Sequence, residues 1–185
     1  MTLTKGMLKG LSIAALPMLL AACVNMTGKP YTPSTTNVIK MQESIETKLK
    51  LDAFTENADI PELVCRLGAP IDVTAGKTRA QYIYEAMQTE LFMAGVYDSK
   101  SDTVLSGTLT YVSFSSTSPA SWTITMDVAS SKSEGYTVTT NYPFKTSYDG
   151  KQACQNVADA FAPAVQRLIR DVISHPDFSS LAASS

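Results

Sequence analysis

The 185-residue sequence predicts an α+β domain, an antiparallel sheet of about four strands packed by two main helices in the order β-α-β-β-β-α. Three observations predict it. Between Thr103 and Phe144, three runs alternate apolar with polar residues and are separated by the turn-rich stretches Ser115 to Ala120 and Ser130 to Gly135. Period two with such punctuation is an antiparallel meander buried on one face. Two flanking stretches, Thr78 to Ala94 and Lys151 to Ile173, instead repeat apolar residues every three or four positions, the period of helices that cover a sheet. The size is right for one domain, since about 163 residues remain after an N-terminal leader and that leaves little room for two cores.

The leader is residues 1–22. It carries Lys5 and Lys9 and no acidic residue, then an apolar run from Leu11 to Leu20 interrupted by Ser12 and Pro17. A basic start, about ten apolar residues and a small-residue exit form a secretory signal. A membrane-spanning helix needs about 20 apolar residues, and polar Asn25, Thr27 and Lys29 arrive too soon. Leu20, Ala21, Ala22 and Cys23 stand in consecutive order at the end of the run. This stretch resembles the lipobox of bacterial lipoproteins, in which the cysteine is lipidated and becomes the first residue of the mature chain. The resemblance implies signal-peptidase recognition at Leu20, Ala21 and Ala22, with a diacylglycerol and an N-acyl chain on Cys23. Two anchoring signals suffice for stable attachment. Val24 occupies the position where inner-membrane lipoproteins typically carry Asp, so the resemblance implies the periplasmic face of a Gram-negative outer membrane. The competing readings are an ordinary signal peptide with Cys23 near the cut and an uncleaved anchor.

Residues 23–43 are rich in Thr, Pro, Asn, Lys and Ser, and Lys29-Pro30-Tyr31-Thr32-Pro33 cannot make a regular helix. They are expected to form a flexible tether. The domain is expected over 44–178, with a frayed tail at 179–185. Its first strand is read at Ser44 to Leu51, where Ile45, Thr47, Leu49 and Leu51 alternate with Glu46, Lys48 and Lys50. A candidate extra short strand lies near 63–66. The first helix has Thr78 and Gln81 for a capping box and Gly95 for a C-terminal cap, with Ile83, Ala86, Met87, Leu91 and Ala94 as its stripe.

In the first long strand, Leu105, Leu109 and Tyr111 fall on one alternate set, and Val104, Val112 and Phe114 on the other. Gly107 marks a bulge or a close contact. Trp122, Ile124, Met126 and Val128 form the inward set of the next strand, and Tyr136, Val138, Tyr142 and Phe144 repeat the pattern. The closing helix turns Val157, Ala160, Phe161, Ala164, Leu168 and Val172 inward, and Pro163 is expected to kink or divide it.

The chain holds 15 basic and 17 acidic residues; without Lys5 and Lys9 the mature charge is about −4. That is no footprint for nucleic acid. No catalytic constellation stands out. There is no serine elbow, phosphate loop, dinucleotide fingerprint, zinc motif or calcium loop, and the single histidine, His175, sits at a helix end beside Pro176 and Asp177. Asp52, Glu62, Asp98 and Asp127 are acidic groups that folding could bring together, with nothing to select them. No metal site and no cofactor beyond the covalent lipid are expected. Once Cys23 is lipidated, Cys65 and Cys154 remain in an oxidising compartment. Their simplest use is a disulfide closing about 90 residues, contributing about 3 to 4 kcal/mol. The other reading is two unrelated buried cysteines.

The element order behind a lipobox and polar segment resembles the YajG-like lipoprotein family. The resemblance is carried by Tyr82 to Gly95, Leu105 to Phe114, Trp122 to Val128, Tyr136 to Tyr148 and Val157 to Phe178. The same general architecture resembles small periplasmic accessory lipoproteins, including those of lipopolysaccharide assembly and those that activate cell-wall synthases. That resemblance implies a non-enzymatic accessory or interaction subunit of an envelope complex, held to the membrane through its lipid and docking on an envelope protein. The alternative is a carrier or sensor of a small apolar ligand, held near Tyr111, Trp122, Tyr142 and Phe161, unless those rings simply fill the core. Non-reducing peptide mapping is expected to recover Cys65 joined to Cys154; two free thiols in freshly exported protein would exclude the bridge.

Overall fold

The computed structural model describes residues 26–68 and 70–182. The leader, the lipobox residues Leu20, Ala21, Ala22 and Cys23, and residues 183–185 lie outside them. The fold is α+β. Strands β1 (Met26–Thr27), β2 (Lys50–Leu51), β3 (Thr55–Glu56), β4 (Ile71–Asp72), β5 (Val104–Ser115), β6 (Ser121–Ser130) and β7 (Ser133–Pro143) combine with helices α1 (Thr35–Ser44), α2 (Arg79–Met93), α3 (Gly150–Ile173) and α4 (Phe178–Ala182).

Strands β5, β6 and β7 form the expected antiparallel meander. The sheet is mixed, because β2 and β3 both pair parallel to β5 along its other edge. Parallel neighbours need a long crossover, and α2 lies in that connection. The strand expected over 44–51 is therefore mostly not strand. Ile45, Leu49 and Leu51 are buried as the alternation requires. Ser44, however, closes α1; Leu49 makes an isolated parallel bridge to Tyr97, and Lys50 and Leu51 ladder with Val104 and Leu105. Alternation reported which side chains are buried, not which backbone groups are paired. Near 63–66 there is a single bridge, Val64 to Pro70, in place of a strand.

Helix α2 starts as expected, with the Gln81 amide donating to the Thr78 hydroxyl at 3.0 Å. It ends at Gly95, whose φ of +73° suits a residue without a Cβ. Asp149 caps α3, accepting from the Gln152 amide at 2.7 Å. Pro163 does not divide α3, which is one helix of 24 residues. Phe178 and Leu181 of α4 are buried, so the tail expected to fray from 179 is packed through Leu181.

The largest departure is at the N terminus. Residues 26–44 are docked on the domain and do not form a tether. Met26 and Thr27 pair with Ile71 and Asp72 in a separate two-stranded ribbon. The Ser34 hydroxyl then caps α1, which buries Asn37, Val38 and Met41. Val38, Met41 and Ile45, spaced three and four apart, carried the helical signal.

In β5 the pairing shifts by one residue. Leu109 faces Met126 while Tyr111 faces Thr125, leaving Thr110 as the extra residue of a β-bulge. The bulge lies here and not at Gly107, where a Cβ would come within 2.1 Å of Met126 Cε and 3.2 Å of the Phe54 ring. The phase change puts Leu105, Leu109 and Val112 on the inner face together and turns Tyr111 outward, 51% exposed. Trp122 on β6 is fully enclosed. Trp122→Ala is accordingly expected to cost about 3 to 5 kcal/mol. Tyr111→Ala is expected to stay within about 0.5 kcal/mol of the parent in urea unfolding; comparable losses would mean that β5 has a different register.

Candidate functional site

Residues 26–34, the strap, lie in a groove between α2 and α3 and are held at almost every step. The Gly28 amide donates to the Asp72 carbonyl at 2.9 Å. Gln155 of α3 donates to the Thr27 carbonyl at 3.4 Å, and Gln166, three turns further on, donates to the Thr32 carbonyl at 2.6 Å. The strap thus runs in the same direction as α3. Lys29 pairs with Asp159 at 3.3 Å, and its carbonyl accepts from the Tyr82 hydroxyl at 3.3 Å. A Cβ on Gly28 would meet the carbonyl oxygens of Val73 and Ala158 at 2.8 and 3.1 Å, so only glycine lies this flat.

Glu90 is the centre of these contacts. It sits on the inner stripe of α2, is 0% exposed, and accepts from the Tyr31 hydroxyl and the Ser34 amide, each at 2.6 Å on Oε1. Its Oε2 is buried and has no hydrogen-bond partner among the described residues. Burial, together with the hydrogen bond to Glu90, drives the Tyr31 hydroxyl far above the usual tyrosine range, and burial raises Tyr82 to about 12. Both hydroxyls therefore remain donors at neutral pH. Between the strap, α2 and the loop after β4 lies a cavity of about 550 Å³, walled by Tyr31, Pro33, Val73, Ala75, Tyr82 and Thr89 among others. The Lys77–Glu85 ion pair stands in the same wall.

The aromatic residues expected around a ligand are not gathered there. Trp122 and Phe161 are fully buried with ring centroids 5.0 Å apart, and the indole N–H donates to the Val157 carbonyl at 2.9 Å. They fill the core. Tyr111 is on the opposite face of the sheet, carried there by the bulge at Thr110, and Tyr142 is half-buried beside a cleft of about 160 Å³ that also involves Asn37 and Pro163.

Cys65 and Cys154 form a disulfide with Cα atoms 5.9 Å apart. It ties the loop before β4 to the second turn of α3. Beside it, Arg66 donates to the Ser116 carbonyl at 2.6 Å, joining that loop to the β5–β6 turn. His175 stacks on Tyr136 at 3.9 Å, while the Tyr136 hydroxyl donates to the Val172 carbonyl at 2.7 Å, so both close the end of α3. The acidic residues stay apart. Asp127 accepts from Thr137, Asp52 from the amide of Ala53, Asp98 from the amide of Lys100, and Glu62 lines a separate cleft. Among the described residues no group of three or more His, Cys, Asp or Glu is arranged to hold a metal, and no helix is long and apolar enough to cross a membrane.

No family model matches the chain, and no curated protein matches it. Among solved structures, the chain is similar to the crystal structure of protein XCC0632 from Xanthomonas campestris, a DUF330 protein. The identity is 14%, the TM-score is 0.49, and the match covers 80% of this chain and 87% of that one.

Because one carboxylate oxygen receives both strap donors, Glu90→Ala leaves the Tyr31 hydroxyl and the Ser34 amide unpaired. The expected cost is about 1 to 3 kcal/mol in denaturant unfolding. Amide hydrogen exchange is expected to accelerate over 28–34 while the β5–β6 ladder stays protected; unchanged exchange in the strap would remove Glu90 as its holding point.

Proposed function

We propose that the chain is an outer-membrane lipoprotein, anchored through Cys23, whose periplasmic domain is a non-enzymatic accessory or interaction subunit of an envelope complex. One observation carries the reading: a disulfide, Cys65 to Cys154, closed within a chain whose leader ends in Leu20-Ala21-Ala22-Cys23. Such a bridge persists in an oxidising compartment, and the leader supplies the route to one. The resemblance to YajG-like lipoproteins belongs to the same reading.

Support for a docking role comes from surfaces that the core leaves uncovered. Phe92, at the end of α2, is 73% exposed and is followed by exposed Met93. The outer sheet face bears Thr55, Thr108, Thr125 and Thr139 in hydrogen-bonded cross-strand pairs, and β7, which pairs only with β6 among the described residues, leaves an edge on which a strand could be added. A second reading, carriage of a small apolar ligand, is favoured by the cavity of about 550 Å³ beside the strap, away from Trp122 and Phe161.

Affinity purification of the membrane-tethered protein, followed by reconstitution with whatever it retains, tests both. A stoichiometric envelope protein that rebinds the purified chain is the expected result. Retained lipid or small molecule without a protein partner favours the second reading, and turnover of an envelope substrate overturns both.

A further inference from the structure

The strap also limits how the domain can stand on a membrane. Only Val24 and Asn25 separate Cys23 from Met26, and three peptide steps span at most about 11 Å. From Met26 onward the backbone is laddered to Ile71 and Asp72 and then held by Gln155, Glu90 and Gln166. Residues 26–34 therefore add no slack.

The strap begins at a definite end of the domain. Thr27 is held by Gln155, in the second turn of α3, next to the Cys154–Cys65 bridge. The same pole contains the start of α2, where Arg79 pairs with Glu56 at 3.1 Å, and the β5–β6 turn, where Arg66 meets Ser116. The opposite pole contains the β6–β7 turn and the loop before β5, where Ser131 donates to the Asp102 carbonyl at 2.9 Å and Ser101 to the Lys48 carbonyl at 2.6 Å. The twelve residues of β5 connect the poles, a distance of about 40 Å.

We infer that the domain stands directly on the lipid headgroups without a flexible tether, the disulfide pole against the bilayer and the β6–β7 pole facing away. The inference rests on the lipid-anchor reading of Cys23. Lipid is the occupant of the near pole because a leash of about 11 Å leaves no room for a protein layer beneath it. A partner must then approach from the side or from the far pole.

The full-length lipidated chain is tested in vesicles of phosphatidylethanolamine and phosphatidylglycerol containing headgroup spin-labelled lipid. One dye is placed through Lys151→Cys and another through Lys100→Cys, both at exposed positions. Quenching is expected to be several-fold stronger at 151 than at 100. A Gly-Ser insertion of about 20 residues between Asn25 and Met26, worth about 25 Å of reach, is expected to bring the two towards parity. Equal quenching without the insertion, in a chain whose Cys23 peptide carries its acyl chains by mass spectrometry, overturns the inference and leaves the anchor reading intact. A Cys23 peptide without acyl chains overturns both. Peptide mapping of the Cys65–Cys154 bridge confirms that each labelled variant is folded.

Discussion

Helix α3 must be hidden on more than one side, and the rest of the chain is arranged to hide it. Small residues (Ala153, Ala158, Ala160, Ala162 and Ala164) and large ones (Phe161, Leu168, Ile169) are buried around much of its circumference. The inner face of the sheet covers one side, with Trp122 reaching the Val157 carbonyl. The other side is covered by α1, α2 and the strap. A row of touching rings crosses these layers, from Phe114 and Trp122 through Phe161 and Tyr82 to Tyr31 on the strap. Rings at such separations add about 0.5 to 1.5 kcal/mol per pair beyond their buried area. Without the strap, the far end of this row would meet water.

Polar contacts decide how that outer layer is fixed. Beyond β1 and the Gly28 amide, which find backbone partners on β4, Pro30 and Pro33 exclude regular structure from the strap, so its remaining carbonyls and amides need side-chain partners. Gln155, Gln166 and Tyr82 donate to its carbonyls, and Glu90 accepts from it. The burial of Glu90 is thus the counterpart of a segment that cannot satisfy itself. The disulfide acts at the start of the same groove, where it secures the loop leading into β4, the strand with which the strap pairs.

The meander and both long helices were legible because their periods are local. Thr78 and Gly95 marked helix ends where a side chain or a missing Cβ acts, and the expectation of an oxidising compartment pointed to the Cys65–Cys154 bridge. The strap was not legible in the same way. Its composition is that of a loose linker, and its partners lie 44 to 134 residues away, as with Gly28 to Asp72 or Thr32 to Gln166. One sign was present: Glu90 follows Ile83 and Met87 on the apolar stripe of α2, and a carboxylate there needs a donor from elsewhere. The inner position assigned to Tyr111 failed for another reason. Strict alternation assumes an unbroken ladder, and a bulge changes its phase without changing composition.

That bulge has a bearing on how β5 tolerates changes in chain length. Thr110 is the residue that the β6 register does not count. On its two sides the inward positions are Leu105, Gly107 and Leu109, then Val112. Deleting Thr110 would restore simple alternation and keep every one of those side chains on its present face. Deleting any residue from 105 to 109 would invert the faces of those that precede it. In this strand a one-residue deletion therefore keeps the inward set only between Leu109 and Val112 and inverts it on one side elsewhere, so shortening among related chains should collect at the bulge.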